Sequence, residues 1–304
     1  VLDVVVTCLP HEPELAIFPQ VRGYYLAKHL ARSGLRAEFR QLPQPELECT
    51  VLICSEYQQP IDAFDRDLRP SIEAVQAERK YCMTAFSLRQ EPNHFSRAYC
   101  EWFGARGGVL VHLPNAELEP FERCIGLGVD REVVDLPRDV ERNRILFDFP
   151  RSRDEDASAA FDRRMLDAAR AAMAGCVFVG SGPGDSPIRD LFDDWVEYGQ
   201  THAAFTQACL REIVAFVPGW GESMGLQVAE AQVAGAAIVS TRYDVPDVMR
   251  CPHADIRYRA DEPETLVEGL REARRRDHER IRAEAAARFD YFAVAKRTRK
   301  AIGV

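Results

Sequence analysis

Residues 215–241 read AFVPGWGESMGLQVAEAQVAGAAIVST. A strand-length apolar run ends at Pro218, and a loop with Gly219, Gly221 and Gly225 follows. An apolar helical pattern then starts near Leu226, and Gly235 separates it from a second apolar run. Strand, loop, helix and strand in that order describe a parallel βαβ unit. The peptide N–H groups near Ser223–Leu226 open the helix and, with its dipole, suit a diphosphate. Two carboxylates interrupt the apolar text. Glu222 stands at the helix entrance, and Glu230 follows roughly 12 Å along at 1.5 Å per residue. Eight steps of about 100° leave the two within roughly 80° of each other around the axis. Leu226, Ala229 and Val233 share much of that side, so Glu230 is expected on a covered surface, where a carboxylate needs donors. A ribose diol would supply two; the plain alternative is a pair of solvated helix charges.

The same alternation extends in both directions. VLDVVVTC (1–8) is a continuous apolar strand, and Gly23, Leu26, Ala27, Leu30 and Ala31 recur at helical spacing before a Ser33-Gly34 stop. RAEFRQL, TVLICSEY, KYCMTAFSL and GGVLVHL read as further strands, with SRAYCEWFGARG as a helix before the last. A polar stretch with proline and glycine at 126–144 reads as a linker. A second series then opens with RILFDF, a helix over DASAAFDRRMLDAARAAM, and GCVFVGSGP, a strand ending in a glycine-rich turn. HAAFTQACLRE is the helix before the opening stretch. The pattern predicts an α/β protein of two Rossmann-like domains, 1–143 and 144–287, with a last helix at 288–304 packing back on the first. GSGPGDSP at 180–187 is not a dinucleotide fingerprint, because Pro183 and Pro187 block the helix that should open at its third glycine.

Composition narrows the partners. The 304 residues are 46% hydrophobic and 29% charged, with a formal net charge of −9. This describes a globular chain and argues against nucleic acid or an anionic membrane surface as the main partner. Apolar runs are strand-sized, so no transmembrane segment is expected. Nine cysteines, an odd number at scattered positions without a C-x-x-C pair, read as buried free thiols in a reducing cytoplasm. A zinc site is not expected.

The stretch from Glu222 resembles the E-x7-E signature of retaining glycosyltransferases with the GT-B fold, the group 1 or family 4-like enzymes. Glu222, Ser223, Met224, Gly225, Leu226, Glu230, Ala231 and Gly235 match it, and an apolar strand follows. GCVFVGSGP and the tail RFDYFAVAKRTRKAI are similar to that family's second nucleotide-domain strand and its last helix. The resemblance covers roughly residues 145–304. It implies two Rossmann-like domains facing across a cleft, with the donor on the second. It also implies transfer of a sugar from a nucleoside-diphosphate sugar with retention, no cofactor and no metal. Glu230 then matches the ribose ligand and Glu222 the contact to the donor sugar at the reacting centre. The amides of Met224, Gly225 and Leu226 match the donor's sugar and phosphate site, beside Ser223 and the turn at Gly182.

Departures are as informative. The family's Arg and Lys early in the second domain have a counterpart only in Arg151 and Arg153, which either grip the diphosphate or balance Asp154, Glu155 and Asp156 in an exposed loop. His11, His94 and His112 end strands of the first domain; His94 and His11 are the catalytic candidates there, against an ordinary structural role. Arg22 and Arg89 are candidates for an anionic acceptor, against a reading as exposed arginines. Asp65-Arg66-Asp67 and Asp154-Glu155-Asp156 imitate a D-x-D metal motif without following a strand directly. Two other classes stay open: a catalytically weak sugar-nucleotide-binding scaffold, and another two-Rossmann enzyme such as an epimerase or a nicotinamide-dependent oxidoreductase.

Overall fold

The structure is a computed structural model that describes residues 1–8, 18–41, 47–55, 68–89, 96–113, 117–134, 142–148, 163–218, 226–241, 249–259 and 262–304. These fall into two compact units, Val1–Gly128 with Asp290–Val304, and Val129–Phe289. The division lies earlier in the chain than the 143/144 joint expected from the sequence. Residues 129–134, expected in the linker, belong to the second unit and include a helical turn at Arg131–Val134.

The first unit is a six-stranded parallel sheet in the order β2-β1-β3-β4-β5-β6. Its strands are β1 (Leu2–Cys8), β2 (Ala37–Gln41), β3 (Glu48–Ser55), β4 (Gln76–Phe86), β5 (Gly107–Leu113) and β6 (Glu122–Cys124). The unbroken apolar runs of β1, β3 and β5 reflect strands covered on both faces: Val4, Val5, Val6, Leu52, Ile53 and Leu110 are fully buried. Helices α1 (Phe18–Arg32), α2 (Arg69–Glu73) and α3 (Arg97–Gly104) are its crossovers. The last helix of the chain, α10 (Tyr291–Ile302), returns to this unit and packs on α1. Tyr291 stacks on His29 with ring centroids 5.1 Å apart and donates its hydroxyl to the Arg22 carbonyl at 3.3 Å. Asp290 caps α10 by accepting from Phe292 N.

The second unit is another six-stranded parallel sheet, in the order β12-β11-β10-β7-β8-β9. Its strands are β7 (Arg144–Asp148), β8 (Val177–Gly182), β9 (Asp194–Glu197), β10 (Ile213–Val217), β11 (Ala237–Ser240) and β12 (Asp255–Arg257). Its helices are α4 (Arg131–Val134), α5 (Arg163–Ala172), α6 (His202–Leu210), α7 (Leu226–Val233), α8 (Pro263–Ala273) and α9 (His278–Arg288). The first strand of the unit, β7, lies between β8 and β10, so the chain runs outward from it on both sides. That is the doubly wound order, with its reversal point at the β7–β10 boundary.

Candidate functional site

In a doubly wound sheet, ligands bind beyond the carboxyl ends of the strands where the order reverses. Here those strands are β7 and β10. The chain leaving β10 re-enters the described residues as α7, and α7 carries Glu230.

This helix is apolar almost all round: Leu226, Val228, Ala229, Ala231 and Val233 are buried, and so are Glu230 and Gln232. A helix of that kind sits inside a domain rather than on its surface. Gln232 fixes it from below, donating to the Met249 carbonyl at 2.8 Å and accepting from Cys251 N at 2.8 Å. Its end is set by Gly235 at φ +94°, where a Cβ would stand 2.9 Å from the His278 carbonyl. His278 Nδ1 lies 2.8 Å from the Gly235 carbonyl and holds that turn.

Glu230 is 3% exposed, as its helical phase predicts. Its donors come from the chain itself. His202, the first residue of α6, places Nε2 2.7 Å from Oε1. One turn on, Thr206 donates to Oε2 at 3.4 Å and lies 3.2 Å from the same ring nitrogen. The two oxygens are held unequally: 2.7 Å is a short charge-assisted bond, whereas 3.4 Å exceeds the usual hydroxyl–oxygen range of about 2.5–3.0 Å. Because hydroxyl and carboxylate meet one ring nitrogen, the three do not form a relay of the hydroxyl–imidazole–carboxylate kind, which needs both nitrogens.

The ring's charge is set by opposing effects. Burial is the largest and disfavours the imidazolium; a helix N-terminus is also a poor place for a cation. The charge and hydrogen bond of Glu230, with the field of buried Asp130, outweigh burial and raise the His202 pKa above its ordinary value. His202, Thr206 and Asp130 were not singled out from the sequence. The spacing of His202 and Thr206 marks one helix face, but nothing local to it identifies Glu230, 24 residues on from Thr206, as their partner.

The other candidates divide clearly. Glu222, Ser223, Met224, Gly225, Arg151, Arg153, His11 and His94 lie outside the described residues, as do both acid triplets. Leu226 opens α7 and is 9% exposed. Gly182 ends β8 beside Glu197 of β9. A packing reason accounts for Gly180 and Gly182: the Trp195 ring lies flat against this strand, and a Cβ on Gly182 would approach its Cζ2 to 2.8 Å.

In the first unit Arg22 is 1% exposed, which overturns its reading as an exposed arginine. Arg89 is exposed and paired with Glu117 at 2.6 Å and Glu119 at 3.4 Å. His112 is buried, with Nδ1 2.8 Å from the Gly126 carbonyl. Burial first, and the Arg22 guanidinium second, push its pKa well below the ordinary histidine value. The buried carboxylate of Glu122 is a structural clasp, accepting from Ser87 Oγ at 2.7 Å, Leu88 N at 2.8 Å and Glu119 N at 2.7 Å.

Among the described residues no group of three His, Cys, Asp or Glu side chains is placed to hold a metal ion. No described helix is long and apolar enough to cross a membrane. All nine cysteines are free, and burial pushes the thiols of Cys49 up to about 11 and of Cys100 and Cys251 up to about 12.

The architecture has many solved counterparts. No protein-family model matches the chain, and no curated protein sequence matches it. Among solved structures it is similar to AviGT4, a glycosyltransferase involved in avilamycin A biosynthesis, with 15% identity over 100% of this chain and 97% of that one and a TM-score of 0.59. It is similar to Anabaena HepE in complex with UDP-glucose, with 9% identity over 100% of both chains and a TM-score of 0.60. It also resembles TarM, with 12% identity over 84% of this chain and a TM-score of 0.53, but spans only 55% of that chain's length. At such identities the likeness is one of fold: the two parallel six-stranded sheets with their helices are an α/β architecture of the GT-B class.

Proposed function

We propose that the chain is a retaining glycosyltransferase that takes a sugar from a nucleoside-diphosphate sugar without a metal. One observation carries this reading. Glu230 is buried on the helix that follows β10 at the reversal point of the second sheet, with one carboxylate oxygen only loosely held. A ribose hydroxyl is the donor that fits a buried oxygen at a nucleotide-binding edge. In this reading Glu222 contacts the donor sugar, the amides of Met224, Gly225 and Leu226 receive its phosphates with Ser223 and Gly182 beside them, and Arg151 and Arg153 neutralise the leaving diphosphate. His11 and His94 are kept as acid–base candidates, and Arg22 and Arg89 as acceptor contacts. The complex of HepE with UDP-glucose supports a nucleotide-sugar donor for this fold.

A thermal-shift screen with UDP, GDP, ADP and dTDP tests it. A ligand at 100 times its Kd adds about 2.7 kcal/mol of stability. Glu230→Gln, which keeps an acceptor for His202, removes the shift. No shift with any of the four, at concentrations that saturate a millimolar site, overturns the proposal.

A further inference from the structure

The unequal hold on the Glu230 carboxylate has a functional consequence. Oε1 is bound at 2.7 Å by a largely buried imidazole, while among the described residues Oε2 has the single 3.4 Å contact to Thr206. The ring therefore selects which oxygen remains for a ligand. It also sets the charge of the pocket wall, because an imidazolium offsets Glu230 whereas a neutral ring still donates from Nε2 but brings no charge. We propose that His202 is a positioning residue of the nucleotide site: as an imidazolium it holds Glu230 Oε1, leaves Oε2 for a ribose hydroxyl, and makes nucleoside-diphosphate affinity fall as the ring loses its proton. This rests on Glu230 being the ribose ligand.

Among the described residues the charged groups that act on the ring lie on two segments. Glu230 on α7 and Asp130, just before α4, are the groups whose charges act on it. The remaining charged side chains on elements packed against α6 point elsewhere: Arg131 and Glu132 on α4 and Asp194 and Glu197 on β9 are exposed. Asp194 pairs with Arg144 at 2.7 Å and Glu197 with Arg189 at 2.8 Å. When the ring loses its proton, the pocket wall beside Glu230 and Asp130 becomes one charge more negative, and an anionic ligand is held less tightly.

A purely structural clasp between α6 and α7 makes a different prediction. It changes the melting temperature on substitution and leaves the pH profile of ligand affinity parallel to that of the unsubstituted protein. Calorimetric titration of the full chain with the tightest of UDP, GDP, ADP and dTDP, from pH 6 to 9, separates the two. His202→Gln keeps an amide donor and loses the titrating charge, so its profile carries only the diphosphate's own ionisation; His202→Asn is a second neutral donor. The expected result is that the unsubstituted chain loses about tenfold more affinity across this range than either variant, the equivalent of one pKa unit of linkage. Parallel profiles in a chain that binds nucleotide overturn the inference and leave the ribose reading standing. Absence of binding by all four nucleotides overturns both.

Discussion

His112 and His202 are both largely buried, yet their surroundings drive them in opposite directions. His112 is desolvated by burial and sits beside the Arg22 guanidinium, so its folded pKa lies well below the unfolded value. A group of this kind contributes stability that is complete above the unfolded pKa of about 6.5 and is lost progressively as pH falls from there through the folded pKa. Acidification below pH 6.5 is therefore expected to lower the unfolding free energy by up to about 1.4 kcal/mol per pH unit from this one proton, and the melting temperature with it. His112→Asn, compared by thermal unfolding between pH 4.5 and 7.5, should flatten that limb; an unchanged slope would rule the buried imidazole out as its source. His202 has a raised pKa, and the sign reverses: its stabilising pair with Glu230 is complete below about pH 6.5 and fades as pH rises through the folded pKa. The destabilisation caused by His202→Gln should therefore be largest near pH 6 and smaller at pH 9 in denaturant titrations. A cost that is equal at both ends would mean that the ring acts as a neutral donor throughout.

At the scale of elements, β8 shows why glycine in a strand need not signal a ligand. Val177–Gly182 pairs with β7 and β9, and the Trp195 and Phe192 rings lie where side chains at 180 and 182 would project; a Cβ on Gly180 would reach Phe192 Cδ2 at 2.8 Å and enter the Trp195 ring. Gly180→Ala is expected to cost about 1–3 kcal/mol as an overpacking change, read as a lower urea midpoint at unchanged m-value. A neutral result would show that the Trp195 ring moves aside freely. This packing was hidden in the sequence because GSGP reads equally well as a phosphate loop, and the aromatic that explains it lies on a strand too short to register. The long buried strands were legible because a sheet covered on both faces requires unbroken apolar runs, as in VVVTC and VLICS. The edge strands β6, β9 and β12, read ERC, DWVE and DIR, escaped for the converse reason: three or four residues with charges carry no period. The burial of Glu230 followed from helical phase alone. Its partner did not, since His202 reaches it only through tertiary packing of two helices.

For the whole molecule, the chain's return to its first unit carries a large energetic weight. After the second unit ends at Phe289, α10 brings Tyr291, Val294 and Ile302 to 2% exposure or less within the first unit. At about 1.5–3 kcal/mol for each large apolar side chain, removing them withdraws roughly 5–9 kcal/mol, comparable with the 5–15 kcal/mol that holds an average domain together. The loss also strips the Tyr291 ring from His29 and its hydroxyl from the Arg22 carbonyl, so α1 loses the surface against which it is built. A chain ending at Phe289 should consequently keep a folded second unit and lose the first. Hydrogen exchange followed by mass spectrometry would show fast exchange in peptides covering β1, β3 and β5, with protection retained in β7, β10 and α7. The same truncated chain should still respond to whichever nucleotide the intact protein binds, since every described donor contact proposed above lies between residues 129 and 289. Full protection of β1 and β3 after truncation would show that the first sheet stands without α10. Loss of protection in β10 and α7 as well would show that the second unit depends on the first for its fold.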